Sequence, residues 1–505
     1  MSHSYVTTPI FYVNDKPHLG HSYTCVIADV IARQHRLFGK QVILLTGTDE
    51  HGIKIERAAK SHNTSPQNFV DVISMKFKNL MTICNISNND FIRTTETRHK
   101  EAVHSLWNTL SRNGYIYLGK YSGWYSIRDE AFYNESDLTE DKLAPTGSTV
   151  EWVEEESYFF ALSKLQNRLI SFYENNPLFI YPNTKRTEVI NFIKQGLQDI
   201  SISRTSVSWG ISVPNNPKHV IYVWLDALTN YITALGYPNV DDKKFKNFWT
   251  SAIHIIGKDI LKFHAVYWPA FLMAAELSLP QKLVVHGWWT IEGEKMSKSV
   301  GNVIDPIQLQ QEASVDAMRY FLLKEIPLGK DGNFSKTAFV NRVNSELADK
   351  IGNLVQRVTA FSGKYFNHAV PDIKDASVWK IHPLSVTSTH AYEAIKKINI
   401  NFDIKSALSA ILQLASDTNK HIDTTTPWTT IKTNKEQASI DMYIALTSIK
   451  HIGIYLQPFM PDAAKKILSI FALNMTPCPI QHLAIPLLPK AILQPCQILF
   501  TKIEK

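Results

Sequence analysis

The first fifty residues alternate between two periodicities, and this alternation restricts the fold more than any other feature of the chain. Tyr5 to Ile10 is β-branched and aromatic, residues 22 to 38 repeat apolar positions at helical spacing, and Val42 to Leu45 is an uninterrupted apolar run. Strand, helix and strand in this order predict a βαβ unit. Val26, Ile27, Val30 and Ile31 supply the buried stripe of the helix, and Gly39 its stop. The second strand lacks alternation because a parallel strand is covered on both faces. Ligands of such sheets sit beyond the carboxyl ends of the strands, so Thr8 to His21 and Thr46 to Gly52 are the segments to inspect.

The pattern returns from Lys218: Val220 to Trp224 reads as a strand, Leu225 to Leu235 as a helix, His254 to Ile256 as a strand, Ile260 to Leu277 as a helix and Leu283 to Val285 as a strand. Between the two halves, residues 116 to 160 are rich in Tyr, Gly, Asp and Glu with short alternating stretches, which predicts a small β-containing insertion followed by helical pattern. Beyond about Asp305 the signal is helical, near 305–325, 335–366, 386–417 and 437–473, with Pro, Gly and Thr-rich joints. The expected fold class is α/β: a Rossmann-type parallel sheet split by a connective insertion and followed by an α-helical bundle.

Composition excludes several function classes. With 505 residues, 44% hydrophobic and 20% charged, the chain can bury a sizeable core, while its longest apolar run, Ala265 to Ala275, falls short of the roughly 18 residues of a membrane span. No basic or Arg-rich leader precedes Tyr5, so a cytoplasmic, non-membrane protein is expected. Cys25, Cys84, Cys478 and Cys496 have no short paired spacing, which argues against a disulfide framework or a cysteine-based zinc ribbon. A net charge of +7 permits a polyanionic partner without requiring one.

In His18-Leu19-Gly20-His21, two histidines bracket a glycine between a strand and a helix, where helix amides and imidazoles can meet a polyphosphate and Gly20 lets a nucleotide approach the backbone. Alone, the tetrapeptide is equally a strand-to-helix turn. A second cluster, Lys295-Met296-Ser297-Lys298-Ser299, stands 274 residues beyond His21 on a Gly-flanked loop after the last strand of the second half. A lysine held on a loop can assemble over a triphosphate after it binds and stabilise transition-state charge.

Together these motifs resemble the class I aminoacyl-tRNA synthetases. Within that class the chain is similar to the methionyl family, through Thr8-Pro9-Ile10-Phe11-Tyr12-Val13-Asn14, Thr46-Gly47-Thr48-Asp49-Glu50-His51-Gly52, Tyr222-Val223-Trp224-Leu225-Asp226-Ala227, Ile256-Gly257-Lys258-Asp259 and Phe263-His264. The resemblance runs from about Tyr5 to Lys364 and recurs at Trp428. It implies a ligase that activates methionine with ATP and Mg2+ to methionyl adenylate and pyrophosphate, then transfers it to tRNA(Met). The alternative is a catalytically decayed tRNA-binding or regulatory protein of the same fold.

The family's methionine pocket falls on Ile10, Tyr12, Asp49, Trp224, Ala227, Leu228, Tyr231, Ile260, Phe263 and His264. A thioether gains from aromatic faces and edges, and Asp49 offers an anion for the substrate's ammonium; without the two motifs, Trp224, Leu228 and Tyr231 read as core. The resemblance puts ATP on His18, Gly20, His21, Gly257, Asp259, Lys295, Ser297 and Lys298, with His18, His21, Lys295 and Lys298 as the catalytic set. Asp259 is equally readable as a helix N-cap.

Many members of the family bind zinc in the insertion through cysteine knuckles. Here Ser126 and Asp129 stand where a Cys-x-x-Cys pair would be, Ala144-Pro145-Thr146-Gly147 also lacks thiols, and so no structural zinc is expected. The helical third resembles the family's anticodon-binding bundle, with Asn353 and Arg357 four apart on one helical face and Trp428 after a proline at a helix start. The expected divisions are 1–114 and 216–294 for the catalytic halves, 115–215 for the insertion, 295–344 for the lysine loop and stem-contact region, and 345–505 for the anticodon bundle. A monomer is expected.

Overall fold

The predicted βαβ unit is β1 (His3–Tyr12), α1 (Leu19–Leu37) and β2 (Gln41–Asp49), with β1 and β2 parallel. The structure is a computed structural model that describes residues 2–128, 131–133, 135–291, 294–295 and 304–504. The chain continues through β3 (Asp90–Arg93), α2 (Thr97–Arg112), β4 (Ile116–Ser126), β5 (Glu151–Phe160) and β6 (Ile180–Tyr181). Then follow α3 (Val223–Thr233), β7 (Ala252–Gly257), α4 (Trp268–Ala274) and β8 (Lys282–His286).

Six strands form one sheet in the order β3-β2-β1-β7-β8-β6, and every pairing is parallel. The strand order reverses between β1 and β7, which makes the crevice there the expected ligand position. Adjacent residues enter opposite cores: Val6, Leu44, Ile255 and Val284 pack on the α1 side, in a cluster continuous with the helical third. Tyr5, Leu45, Ile256 and Val285 pack on the other side, against α2, α3 and α4. Both faces being covered explains the unbroken apolar runs.

The insertion is antiparallel, β4 pairing with β5 along its length. Ile180–Tyr181, within the segment expected as insertion, forms the edge strand β6 of the parallel sheet. Two expected elements of the sheet domain differ. The strand expected at Val220 to Trp224 is shorter and earlier, Asn216–Ile221, and pairs antiparallel with Ser203–Arg204 and Ser212–Val213 rather than joining the parallel sheet; Trp224 therefore lies on α3. The helix expected over Ile260 to Leu277 is a 3₁₀ turn at Lys258–Ile260, a π turn at Phe263–Tyr267 and then α4. Pro269 has no N–H to give the Ala265 carbonyl, and the Tyr173 hydroxyl donates to that oxygen instead.

The helical third comprises α5 (Val315–Glu325), α6 (Lys336–Arg342), which passes through a π turn at Val343–Gly352 into α7 (Asn353–Phe366), then α8 (Pro383–Lys396), α9 (Ile404–Thr425), α10 (Lys435–Leu456) and α11 (Pro461–Ile470). The pattern read as 386–417 is broken: α8 ends at Lys396, a short helical turn spans Ile398–Asn401, Phe402 takes φ 52° and Asp403 caps the start of α9. The pattern read as 437–473 breaks where Pro461 opens α11. Arg319 on α5, fully buried, ties this region to the sheet domain. It pairs with Asp29 of α1 at 2.7 Å and donates to the carbonyls of Phe459 at 2.9 Å, Pro458 at 3.0 Å and Cys84 at 3.0 Å. Burial opposes ionisation of Asp29, but Arg33 and Arg319 outweigh it and hold the carboxyl below its ordinary range.

Candidate active site

The two histidines of the first motif build the start of α1. His18 is the N-cap, its Nδ1 accepting from the Gly20 amide at 3.1 Å, and His21 Nδ1 accepts from the His18 amide at 3.0 Å. This is a capping box made of imidazoles, with ring centroids 3.9 Å apart. A Cβ at position 20 would lie 2.9 Å from His18 Cε1, so only glycine leaves the ring in place. Phe11 and Phe77 present the His21 ring with edge contacts at 5.0 and 5.2 Å. The positive end of α1 thus lies beside the strand-order reversal.

At the ends of the neighbouring strands, Tyr12 of β1 faces Asp49 of β2 in register, and Ile10 faces Gly47. Asp49 is buried. Two residues further on, His51 Nδ1 meets Asp226 of α3 at 2.6 Å, and the other oxygen of Asp226 meets His99 Nε2 of α2 at 2.8 Å. Burial alone would raise the Asp226 pKa, yet the two histidines bring it down to about 2, so it is a carboxylate at neutral pH. It joins the end of β2 to the helix that carries the aromatic residues.

Trp224 lies flat on Phe263, centroids 3.7 Å apart and planes within 6°, with His264 at its edge. The π turn brings Phe263 and His264 to this point. His264 Nε2 is 2.7 Å from the Tyr231 hydroxyl, and its Nδ1 is 3.0 Å from the Ile260 carbonyl. Burial lowers the His264 pKa to about 4, leaving a neutral imidazole. Ala227, Leu228 and Tyr231 are buried on α3, and Ile10, Trp224, Ile260 and Phe263 pack, half-buried, on one cluster that includes Leu228 and Tyr231. The fold thereby gathers the expected methionine residues at one end of the sheet, except that Tyr12 packs on the α1-side cluster.

Gly257 ends β7, where a Cβ would stand 2.5 Å from Asp259 Oδ1. Asp259 does not cap a helix: it lies within the 3₁₀ turn and accepts from Trp288 Nε1 at 3.0 Å. Lys258 sits 4.2 Å from the centroid of the Trp288 ring and pairs with Asp331 at 2.6 Å. The backbone of Lys295 is described, in a two-residue strand paired antiparallel with Trp289–Ile291. Met296 to Val303, with Ser297 and Lys298, lie outside the described residues.

In the insertion, Ser126 Oγ is 2.7 Å from Ser148 Oγ, which is 3.0 Å from Thr146 Oγ1. Asp129 lies outside the described residues. Neutral hydroxyls are not the thiolate or imidazole donors of structural zinc, and these residues do not fit that metal. In the helical third, the Arg357 guanidinium stands 5.4 Å from the centroid of the Trp428 ring and pairs with Asp423 at 2.7 Å. Both line a cavity of about 310 Å³ with Phe361, Lys364, Tyr365 and Met442. Asn353 is exposed at the start of the same helix, α7, as Arg357.

The sequence reading assigned no role to His51, His99 and Asp226, although two of them stood inside quoted motifs. The available signal was Asp226, a carboxylate between Leu225 and Ala227 in an apolar helical run; His51 and His99 stand among polar and charged neighbours and gave none. Lys364 and Tyr365 were also missed, since an amphipathic helix does not reveal which polar residues rim a cavity.

Comparison with known proteins follows the same outline. Residues 4–141 and 135–359 match the family of tRNA synthetases class I (M), and residues 384–505 match the anticodon binding domain of methionyl tRNA ligase. The methionine-tRNA ligase of Rickettsia felis is 53% identical over 95% of this chain and 94% of its own length. That of Brucella suis is 46% identical over 93% and 91%. The structure of Mycobacterium tuberculosis methionyl-tRNA synthetase in complex with methionyl-adenylate superposes with a TM-score of 0.95 at 41% identity, covering 99% of this chain and 100% of that one.

Proposed function

The chain belongs to the methionyl family of class I tRNA synthetases, and from that premise we propose how its residues carry out the reaction. It is a methionine-tRNA ligase, which uses ATP to join methionine to tRNA. A decayed, purely binding relative finds no support among proteins 46 to 53% identical over most of the chain that are ligases. The observation that carries the residue assignment is the in-register pair Tyr12 and Asp49 at the strand ends, beside the Trp224, Phe263, His264 and Tyr231 cluster and the imidazole-capped helix.

In this reading Asp49 holds the ammonium of methionine, and the thioether packs on the aromatic rings. Neutral His264, hydrogen-bonded to Tyr231, offers no cation that would demand a counter-ion. Ile10, Tyr12, Ala227, Leu228 and Ile260 complete the pocket. The triphosphate of ATP, with Mg2+, lies over Gly20 at the positive end of α1, held by His18 and His21 and by Lys295, Ser297 and Lys298; Gly257 and Asp259 face the ribose. The methionine carboxylate attacks the α-phosphorus, the P–O bond to pyrophosphate breaks with its electron pair, and the mixed anhydride results. A terminal ribose hydroxyl of tRNA then attacks the activated carbonyl and AMP leaves. Catalysis here is positioning and electrostatics.

The catalytic halves are assigned to 1–114 and 216–294, the connective insertion to 115–215, the lysine loop and stem-contact region to 295–344, and the anticodon bundle to 345–505, where Asn353, Arg357 and Trp428 read the anticodon. The protein is read as a zinc-free monomer of the cytoplasm, where tRNA and ATP are found; light scattering tests the oligomeric state. His21→Ala and Lys298→Ala should each cut methionine-dependent ATP/pyrophosphate exchange by roughly 100-fold or more with little change in methionine affinity. An unchanged rate in both would contradict the assignment.

A further inference from the structure

On the α1 C-terminal side of the junction between the sheet domain and the helical third, a cavity of about 210 Å³ is enclosed by both. Among the described residues its charged lining is Arg33 and Arg36 from α1 and Lys465 from α11, with no carboxylate. Leu468, Leu473 and Pro477 supply apolar wall, and Asn474 and Thr476 add polar groups at its margin.

The three cations differ in how they are balanced. Arg33 is neutralised by Asp29 at 2.7 Å, but that single buried carboxylate also serves Arg319. Arg36 is half-buried and donates only to neutral oxygens, those of Ser87 and of the Asn89 side chain at 2.9 Å. Burial pushes its pKa down, and the opposing pull of the Asp29 carboxylate does not make up for it. Lys465 makes no hydrogen bond or ion pair among the described residues. A partly enclosed site whose three cations outnumber their one partner carboxylate, Asp29, which Arg319 also shares, and that offers apolar wall beside them, is complementary to an anion with an apolar body.

The geometry points to a second ligand site here, for a small phosphomonoester with an aromatic or aliphatic body. The phosphate sits between Arg36 and Lys465 with Arg33 behind, and the body lies on Leu468, Leu473 and Pro477. The volume equals roughly seven water molecules, enough for a single ring and not for a polynucleotide segment. An occupant would bridge α1, whose other end carries His18 and His21, to the helical third, so binding stabilises the junction by mass action.

Phenyl phosphate is the probe, measured by calorimetry on the full chain with saturating methionine and a non-hydrolysable ATP analogue, and inorganic phosphate is the control. One-to-one binding is expected, about tenfold weaker for inorganic phosphate and at least about tenfold weaker in Lys465→Glu. Lys465 is exposed and partners nothing among the described residues, so this variant keeps its fold; unchanged exchange activity verifies it. Three results would overturn the inference: no binding of phenyl phosphate, binding displaced by the ATP analogue, or equal affinity in Lys465→Glu. A tenfold rise in KM for tRNA in that variant, with tRNA displacing the probe, would overturn it too, because the lysine would then belong to a tRNA surface.

Discussion

Asp226 and His51 lie 2.6 Å apart in a buried pair that fastens the methionine-side helix to the end of the second strand. The opposite oxygen of the same carboxylate holds His99. Asp226 separates Trp224 from Ala227 and Leu228 along the helix, while His51 follows Asp49 by two residues, so the pair fixes the aromatic wall relative to Asp49, the carboxylate proposed to receive the ammonium. Asp226→Asn keeps the shape but loses the charge that both imidazoles address. The expected outcome is a rise of about tenfold in KM for methionine with KM for ATP near normal. Equal effects on both constants would show that Asp226 only supports the fold. Its pKa of about 2 lies below the unfolded value near 3.9, so its contribution to stability is complete above about pH 4 and lost as pH falls toward 2.

Trp428 is 40% exposed and stands against Arg357 rather than in the core, which is the arrangement a base-stacking ring needs. Losing one such stack costs about 1 to 3 kcal/mol. Trp428→Ala should lower kcat/KM for tRNA charging by roughly tenfold or more and leave ATP/pyrophosphate exchange near normal. A variant that loses thermal stability and both activities together would place Trp428 among the packing residues.

Asp316 is buried at the start of α5, with one oxygen accepting from the Ala463 amide at 2.6 Å. Burial raises its pKa to about 7, against an unfolded value near 3.9. The folded state therefore binds the extra proton, and the stability this gives is present below about pH 4 and lost as pH rises to 7. Asp316→Asn retains an acceptor for Ala463 and never ionises. Its melting temperature should exceed that of the parent by roughly a few degrees at pH 8, a gap that closes toward pH 4. A gap independent of pH would remove the carboxyl as its cause.

The hydroxyl cluster of Ser126, Thr146 and Ser148 has no donor suited to zinc. Purified protein should contain only substoichiometric zinc, and exchange activity should survive excess chelator. One tightly held equivalent would contradict this.

The parallel core was legible because a strand covered on both faces announces itself as an unbroken apolar run, as Val42 to Leu45 does. Trp224 was misplaced because Tyr222, Val223 and Trp224 favour strands locally, whereas packing makes Val223 the start of a helix with Asp226 in its first turn. The interruption before Trp268 was hidden, since the partner that compensates for Pro269 is Tyr173, nearly a hundred residues away. Motifs located the residues of the imidazole cap and of the Trp224, Phe263 and His264 cluster. They did not reveal that His51, His99 and Asp226 meet, because three distant segments converge there. The cation-lined cavity was likewise invisible, as it needs α1 and α11 side by side.

The most direct test is amino-acid-dependent ATP/pyrophosphate exchange with each of the twenty amino acids. Methionine should support exchange far above every other amino acid, without tRNA present. Exchange strongest with a different amino acid, or absent with methionine, would contradict the account.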